Sequence, residues 1–351
     1  MDRLLPANLP LAANLASFLV AAAGVWFAGT RLCVYADEIS DRKRIGKAIM
    51  GLVFLAAATS LPEIVTTFAA AIDANPALVL NNLFGGIALQ TAILAVADRI
   101  AARSPLTFYP RKPTPVIEGC FLVLLLCVLQ AVAVVGDRPL VFGIGRGALA
   151  VIVLYVVAVA MLRKLYSDDS WVPVRVPEEP EDATVSTWRG HVEQIAWGVL
   201  MVRTVAAVLA ILVCGVVLVR TAQAIADQSG LGSSFIGATL LAGTTSLPEL
   251  STTIMAVRLR AYTMAISNIF GSNLIMLALL MPADLLYREG TILSAMDRVA
   301  TLGIISGIAV TTIYVVGLTV RSSRKVLGMG IDSLLVAIVY VLSAVFFYLV
   351  R

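Results

Sequence analysis

The chain has 351 residues, 60% of them hydrophobic and only 14% charged, with a net charge of +4 and a mean hydropathy of +0.94. That balance excludes an ordinary water-soluble domain, which needs far more polar surface for its size. The small positive charge calls for no nucleic-acid partner, because basic loops on one side of a membrane account for it.

Apolar runs of about twenty residues, long enough to cross a bilayer as helices, recur along the chain. Lipid admits only helices or closed barrels, and runs that are continuous rather than alternating select helices. Ten spans are expected, near 11–32, 45–72, 77–100, 115–136, 141–164, 197–221, 232–258, 262–287, 298–320 and 330–350. The opening MDRLLPANLP leads into the first run without a cleavage pattern, so that run reads as a membrane helix and not a removed signal. Between the fifth and sixth spans lies the only sizeable polar connection. It carries Pro173, Pro177, Pro180 and six carboxylates from Asp168 to Asp182, and reads as a solvated linker. His191, the sole histidine, falls in it and is expected to bind nothing. The expected organisation is a five-helix unit at 1–164, a cytoplasmic linker at 165–194 and a second, inverted five-helix unit at 195–351. The four cysteines, Cys33, Cys120, Cys127 and Cys214, lack metal or redox spacing and read as small apolar residues.

Basic residues set the expected orientation. Counted from an outside N-terminus, inner loops and adjoining span ends hold 18 of them and outer ones 7. The positive-inside rule then puts the N-terminus outside an integral protein of the plasma or inner membrane.

An internal repeat carries most of the information. Residues 45–98 align without a gap on 231–284, a shift of 186, with 19 identities in 54 positions. The densest stretch is ATSLPEIVTT (58–67) against TTSLPELSTT (244–253), followed by NNLFGG (81–86) against SNIFGS (267–272). Five spans on each side of the linker give the two halves opposite orientations, the inverted-repeat plan that puts a binding site at the midplane.

Packing alone does not require a glutamate twice in mid-membrane. Such a residue is costly and by default functional. Pro62 and Pro248 lack the N–H that would continue their helices, and loosen a carbonyl each. Thr59, Ser60 and Glu63, with Thr66 and Thr67 a turn on, share one helical face; Thr244, Thr245, Ser246, Glu249, Thr252 and Thr253 repeat it. Carboxylates, hydroxyls and loosened carbonyls form an all-oxygen set suited to hard cations such as calcium and sodium. Two facing carboxylates need a divalent ion, two monovalent ions or protons between them, which is the physical basis of exchange. The next helix of each half adds the stripes Asn82, Gly86, Gln90 and Asn268, Ser272, Met276, both able to face the site. Gly85 and Gly271 suit close helix packing as well as a site role.

At these residues the chain resembles the sodium/calcium exchanger family, whose pattern is G-T-S-L-P-E in each half followed by a G-S-N helix. Here it stands as AATSLPE (57–63), GTTSLPE (243–249), FGG (84–86) and FGSN (270–273). The resemblance implies a secondary active antiporter that exchanges calcium, or a related divalent cation, for sodium by alternating access, with spans one and six sliding against the rest. It implies ion ligation by Glu63 and Glu249, by Thr59, Ser60, Thr245 and Ser246, by the carbonyl of Ala242 with Ala56 as its counterpart, and by Ser272. Four residues beyond the G-S-N serine the family usually has a polar or acidic residue; here those positions hold Gln90 and Met276. Gly86 stands where the first half's serine is expected. A thioether is a poor partner for calcium or sodium. Proton coupling, or an ion-sensing descendant without transport, fits the same residues. No HExxH or GxSxG motif suggests an enzyme. No cofactor and no protein partner is expected, only the ions and the lipid bilayer.

Overall fold

The computed structural model describes residues 9–141, 143–165, 173, 190, 192–229 and 243–350. The linker carboxylates, His191 and Ala242 therefore lie outside the described residues.

The described chain is almost entirely helical: α1 (Leu11–Lys43), α2 (Lys47–Thr59), α3 (Leu61–Ile72), α4 (Pro76–Ala101), α5 (Thr114–Val135), α6 (Arg146–Leu165), α7 (Trp197–Ser229), α8 (Leu247–Arg258), α9 (Tyr262–Ala278), α10 (Leu280–Leu286), α11 (Arg298–Val320) and α12 (Ile331–Val350). Two short antiparallel hairpins, β1 (Pro139–Val141) with β2 (Ile144–Gly145) and β3 (Lys325–Val326) with β4 (Met329–Gly330), lead into α6 and α12. Seven helices, counting α9 and α10 as one, are long and apolar enough to cross a membrane, and the bent pair α2–α3 adds an eighth candidate. Exposed large apolar side chains such as Phe27 on α1, Val153 on α6 and Val202 on α7 fit a lipid-facing surface.

Three boundaries differ from the sequence expectation, one of them the end of α7, at Ser229 and not 221. Helix α1 runs to Lys43, not 32, because its polar end is stabilised: Lys47 Nζ reaches Asp37 Oδ1 at 2.6 Å and Asp41 Oδ1 at 2.7 Å, and Arg42 pairs with Glu38. Helix α6 starts at Arg146, not 141, because the hairpin takes 139–145. The span expected at 232–258 is described only from residue 243.

Helices α1 and α7 pack along their lengths and are laced at both ends. Asn14 donates to Gln228 Oε1 (3.2 Å), and the Arg42 guanidinium donates to the carbonyls of Val192, Glu193 and Ile195 ahead of α7. Against the remaining helices the pair presents two glycines 186 residues apart. Gly29 of α1 meets Ser251 and the Pro248 carbonyl of α8, while Gly215 of α7 meets the Pro62 ring of α3. Helices α4 and α9 are the most buried long elements. Helix α2 crosses α9 backbone to backbone: a Cβ on Gly51 would meet the Met264 carbonyl, and one on Gly271 would meet the Leu52 main chain.

The two halves also clamp each other. Asp98, at the end of α4, accepts from Leu106 N (3.0 Å) and, across the molecule, from Gly330 N of β4 (2.8 Å). Asp284 on α10, its counterpart by the shift of 186, accepts from Ile292 N (2.7 Å) and from Gly145 N of β2 (2.8 Å).

Candidate cation site

The site begins at a break in a helix. Six residues of α2, Met50–Leu55, form a π-helical turn, a feature frequent next to functional sites. One turn later the chain bends by 51° between α2 and α3. The cause is local: Pro62 has no N–H to give the Ala58 carbonyl, and its ring crowds the preceding turn. Ser60 sits at the corner with φ −81° and ψ 7°, and Ser246, at the equivalent corner before α8, has φ −84° and ψ 4°. Each corner is then pinned by the same bond. Thr66 Oγ1 donates to the Pro62 carbonyl and Thr252 Oγ1 to the Pro248 carbonyl, both at 2.8 Å.

These turns bring Glu63 and Glu249 together in the protein interior. Glu249 is fully buried; its Oε1 accepts from Ser272 Oγ (3.2 Å) and Ser60 Oγ (3.4 Å), and those two hydroxyls are 2.6 Å apart. Its Oε2 and both carboxyl oxygens of Glu63 have no hydrogen-bond partner among the described residues. The two carboxylates are close enough to repel, and neither forms a salt bridge among the described residues. Buried charge without a counter-charge is strongly unfavourable, so these carboxyl oxygens are what a cation would stabilise. The arrangement can therefore take up positive charge from ions or protons.

The expected ligands divide into those the fold gathers and those it uses as supports. Ser60 and Ser272 touch Glu249 directly. Thr59 faces the Glu249 carboxylate while its hydroxyl donates to the Leu55 and Ala56 carbonyls. Ser246 is buried with a free hydroxyl, and Thr245 is buried in the same turn. Gln90 is fully buried, with neither amide atom partnered among the described residues. The Ala56 carbonyl already accepts from Ser60 N (3.0 Å) and Thr59 Oγ1 (3.3 Å), which occupies both its lone pairs. Asn82 and Asn268 brace neighbouring helices: Asn82 donates to Thr67 Oγ1 (3.2 Å), and Asn268 to Thr253 Oγ1 (3.3 Å) and Thr252 Oγ1 (3.0 Å). Gly271 serves packing against α2, whereas a Cβ on Gly85 would meet nothing within 4 Å.

Two features escaped the sequence reading. Glu118, buried on α5, accepts from Ser267 Oγ of α9 (2.8 Å). Asn273 donates to Thr91 Oγ1 (3.2 Å), tying α9 to α4 beside Ser272. An acidic residue in an otherwise apolar run was the available signal for the first. For the second, Asn273 stands in the G-S-N motif, but nothing pointed to Thr91 as its partner, because neither residue repeats at the shift of 186.

Comparison with known proteins gives a family and a fold. The profile of the sodium/calcium exchanger protein family matches residues 13–164 and 199–349. CaxA of Alkalimonas amylolytica, named as a presumed antiporter, is 28% identical over 250 residues, covering 71% of this chain and 73% of that one. The inner membrane protein YrbG of Escherichia coli strain K12 is 26% identical over 275 residues, covering 76% and 78%. The fold is shared with the sodium–calcium exchanger NCX_Mj, here in crystals soaked with 10 mM Na+ and zero Ca2+, at a TM-score of 0.68 and 17% identity over 96% of this chain and 99% of that one.

Proposed function

The chain belongs to the sodium/calcium exchanger protein family, and from that premise we propose that it is a secondary active antiporter exchanging calcium, or a related divalent cation, for sodium or protons. The observation that carries the reading is the meeting of Glu63 and Glu249 with three unpartnered carboxyl oxygens in a buried, hydroxyl-lined site. A divalent ion and a pair of monovalent ions satisfy those charges equally well but not simultaneously, and that competition couples the two fluxes. The direct ligands are Glu63, Glu249, Ser60 and Ser272, with Thr59, Gln90, Thr245 and Ser246 around them and the Ala242 carbonyl as a further donor. Asn82, Asn268 and Ala56 shape the turns.

The ten-span plan consists of two inverted five-helix halves, 1–164 and 195–351, joined by a cytoplasmic linker, with the N-terminus outside an inner or plasma membrane. The bonds repeated at a shift of 186 support it, as does the basic cluster Arg42, Lys43 and Arg44 at the end of α1. Alternating access comes from the laced pair α1–α7 moving across the two glycine contacts at Gly29 and Gly215.

The test is uptake of radiolabelled calcium into proteoliposomes of the purified protein, once against an outward sodium gradient and once against a proton gradient. Uptake driven by either gradient and abolished by its collapse is the expected result. Ion-dependent stabilisation without flux under both would make the protein a sensor and not a transporter.

A further inference from the structure

Gly86 stands where the second half has Ser272, and Met276 where the first half has Gln90. Gly86 lies one turn before Gln90 on α4, and Met276 one turn after Ser272 on α9. Met276 is buried, and its side chain is seated in the notch that Gly86 leaves. A Cβ on Gly86 would lie 2.7 Å from Met276 Cε and 3.6 Å from its sulfur. A methyl group thus stands one turn from Ser272, which touches Glu249, and the matching position of the first half holds the neutral Gln90 amide. Among the described residues no three acidic, histidine or cysteine side chains come together, so the site's fixed charge is that of Glu63 and Glu249 alone. Glu118 is engaged by Ser267, more than a turn of α9 away from Ser272.

Resting on the antiporter reading, we infer that Met276, seated on Gly86, limits the site to two positive charges, so that one divalent cation exchanges for two monovalent cations without net movement of charge. A divalent ion neutralises two carboxylates, and so do two sodium ions or two protons. A third monovalent ion would leave an uncompensated charge in a buried, water-poor setting. It would also need an oxygen where the Met276 methyl stands, and a thioether does not replace one for a hard cation. Met276 is in this sense a specificity residue: it sets how many ions bind, while the glutamates set that ions bind at all.

The experiment is the steady-state calcium accumulation ratio in proteoliposomes with a fixed sodium or proton gradient and a membrane potential clamped by potassium and valinomycin. The expected result is a ratio that follows the square of the driving-ion ratio and does not move with potential. One net charge per cycle would shift it about 50-fold per 100 mV, and such a shift overturns the inference. Absence of accumulation under either gradient at every potential would instead overturn the antiporter reading on which the inference stands. In Met276→Asp the added carboxylate should admit a third monovalent ion and make accumulation potential-dependent. A folded, active Met276→Asp protein that stays insensitive to potential removes Met276 from this role. Should that variant fail to fold, the measurement on the parent protein decides alone.

Discussion

Glu63 and Glu249 have opposite effects on stability and on function. Their carboxyl groups are buried and short of partners among the described residues, so replacing either with an amide keeps no charge to bury there while removing half of the binding charge. Glu63→Gln and Glu249→Gln are each expected to lower calcium flux by about 100-fold or more, since a charged partner of a buried ion contributes several kcal/mol. Without divalent ions the same variants should melt no lower than the parent, and calcium should no longer raise their melting temperature. A thermal-shift series with and without calcium checks this; a calcium-dependent shift of parental size in both variants would refute the assignment. These residues were legible in the sequence because two glutamates interrupt apolar helices at matching places. The bracing role of Asn82 and Asn268 was not legible. A stripe at every fourth residue fixes the face of a helix, but the partner on that face depends on how the next helix packs, and α3 lying against α4 brings Thr67 to Asn82.

Between elements, the glycines separate cleanly. Gly271 carries α9 against the main chain of α2 at Leu52, where no side chain can yield, whereas the space around Gly85 is open. Gly271→Ala should force the α2–α9 crossing apart and, as an overpacking change against backbone, cost at least about 1–3 kcal/mol. Gly85→Ala should be neutral or slightly stabilising through its helix propensity. Melting temperatures in detergent distinguish the two, and equal values would contradict the packing described. The two glycines hold the same place in the two copies of the motif, which gives no reason to prefer one, because only the crossing of two helices distinguishes them. Element ends were hard to read for a related reason. The polar stretch from Arg31 to Lys43 reads as a loop by hydropathy, yet the Lys47 and Arg42 ion pairs keep it helical. Hairpin residues 139–145 are apolar enough to pass as the start of α6.

For the whole molecule, orientation and motion can both be read with cysteines in a background lacking the four native ones. A cysteine at exposed Asp73 should react with an impermeant reagent from outside, and one at exposed Arg44 only from inside. The reverse pattern would invert the proposed topology. A disulfide joining positions 14 and 228 should leave calcium exchange within about twofold of the reduced protein, because those side chains already hold α1 to α7 as one body. One joining positions 29 and 251 should stop exchange by fixing that body to α8. Loss of flux in the first disulfide, reversed by reduction, would show that α1 and α7 move separately. The sequence announced the two halves through their repeat, but not the way they interlock, because the contacts of Asp98 and Asp284 join residues of no shared motif. That interlock bears on how the chain is made. When α4 leaves the ribosome, Asp98 has only Leu106 to bind, and its second donor, Gly330, is synthesised 232 residues later. The first half thus enters the membrane with a buried acceptor still waiting, and its own Gly145 N–H waits for Asp284. Each half works as a chaperone for the other's last hairpin, so halves synthesised as separate polypeptides should escape quality-control proteolysis only when produced together.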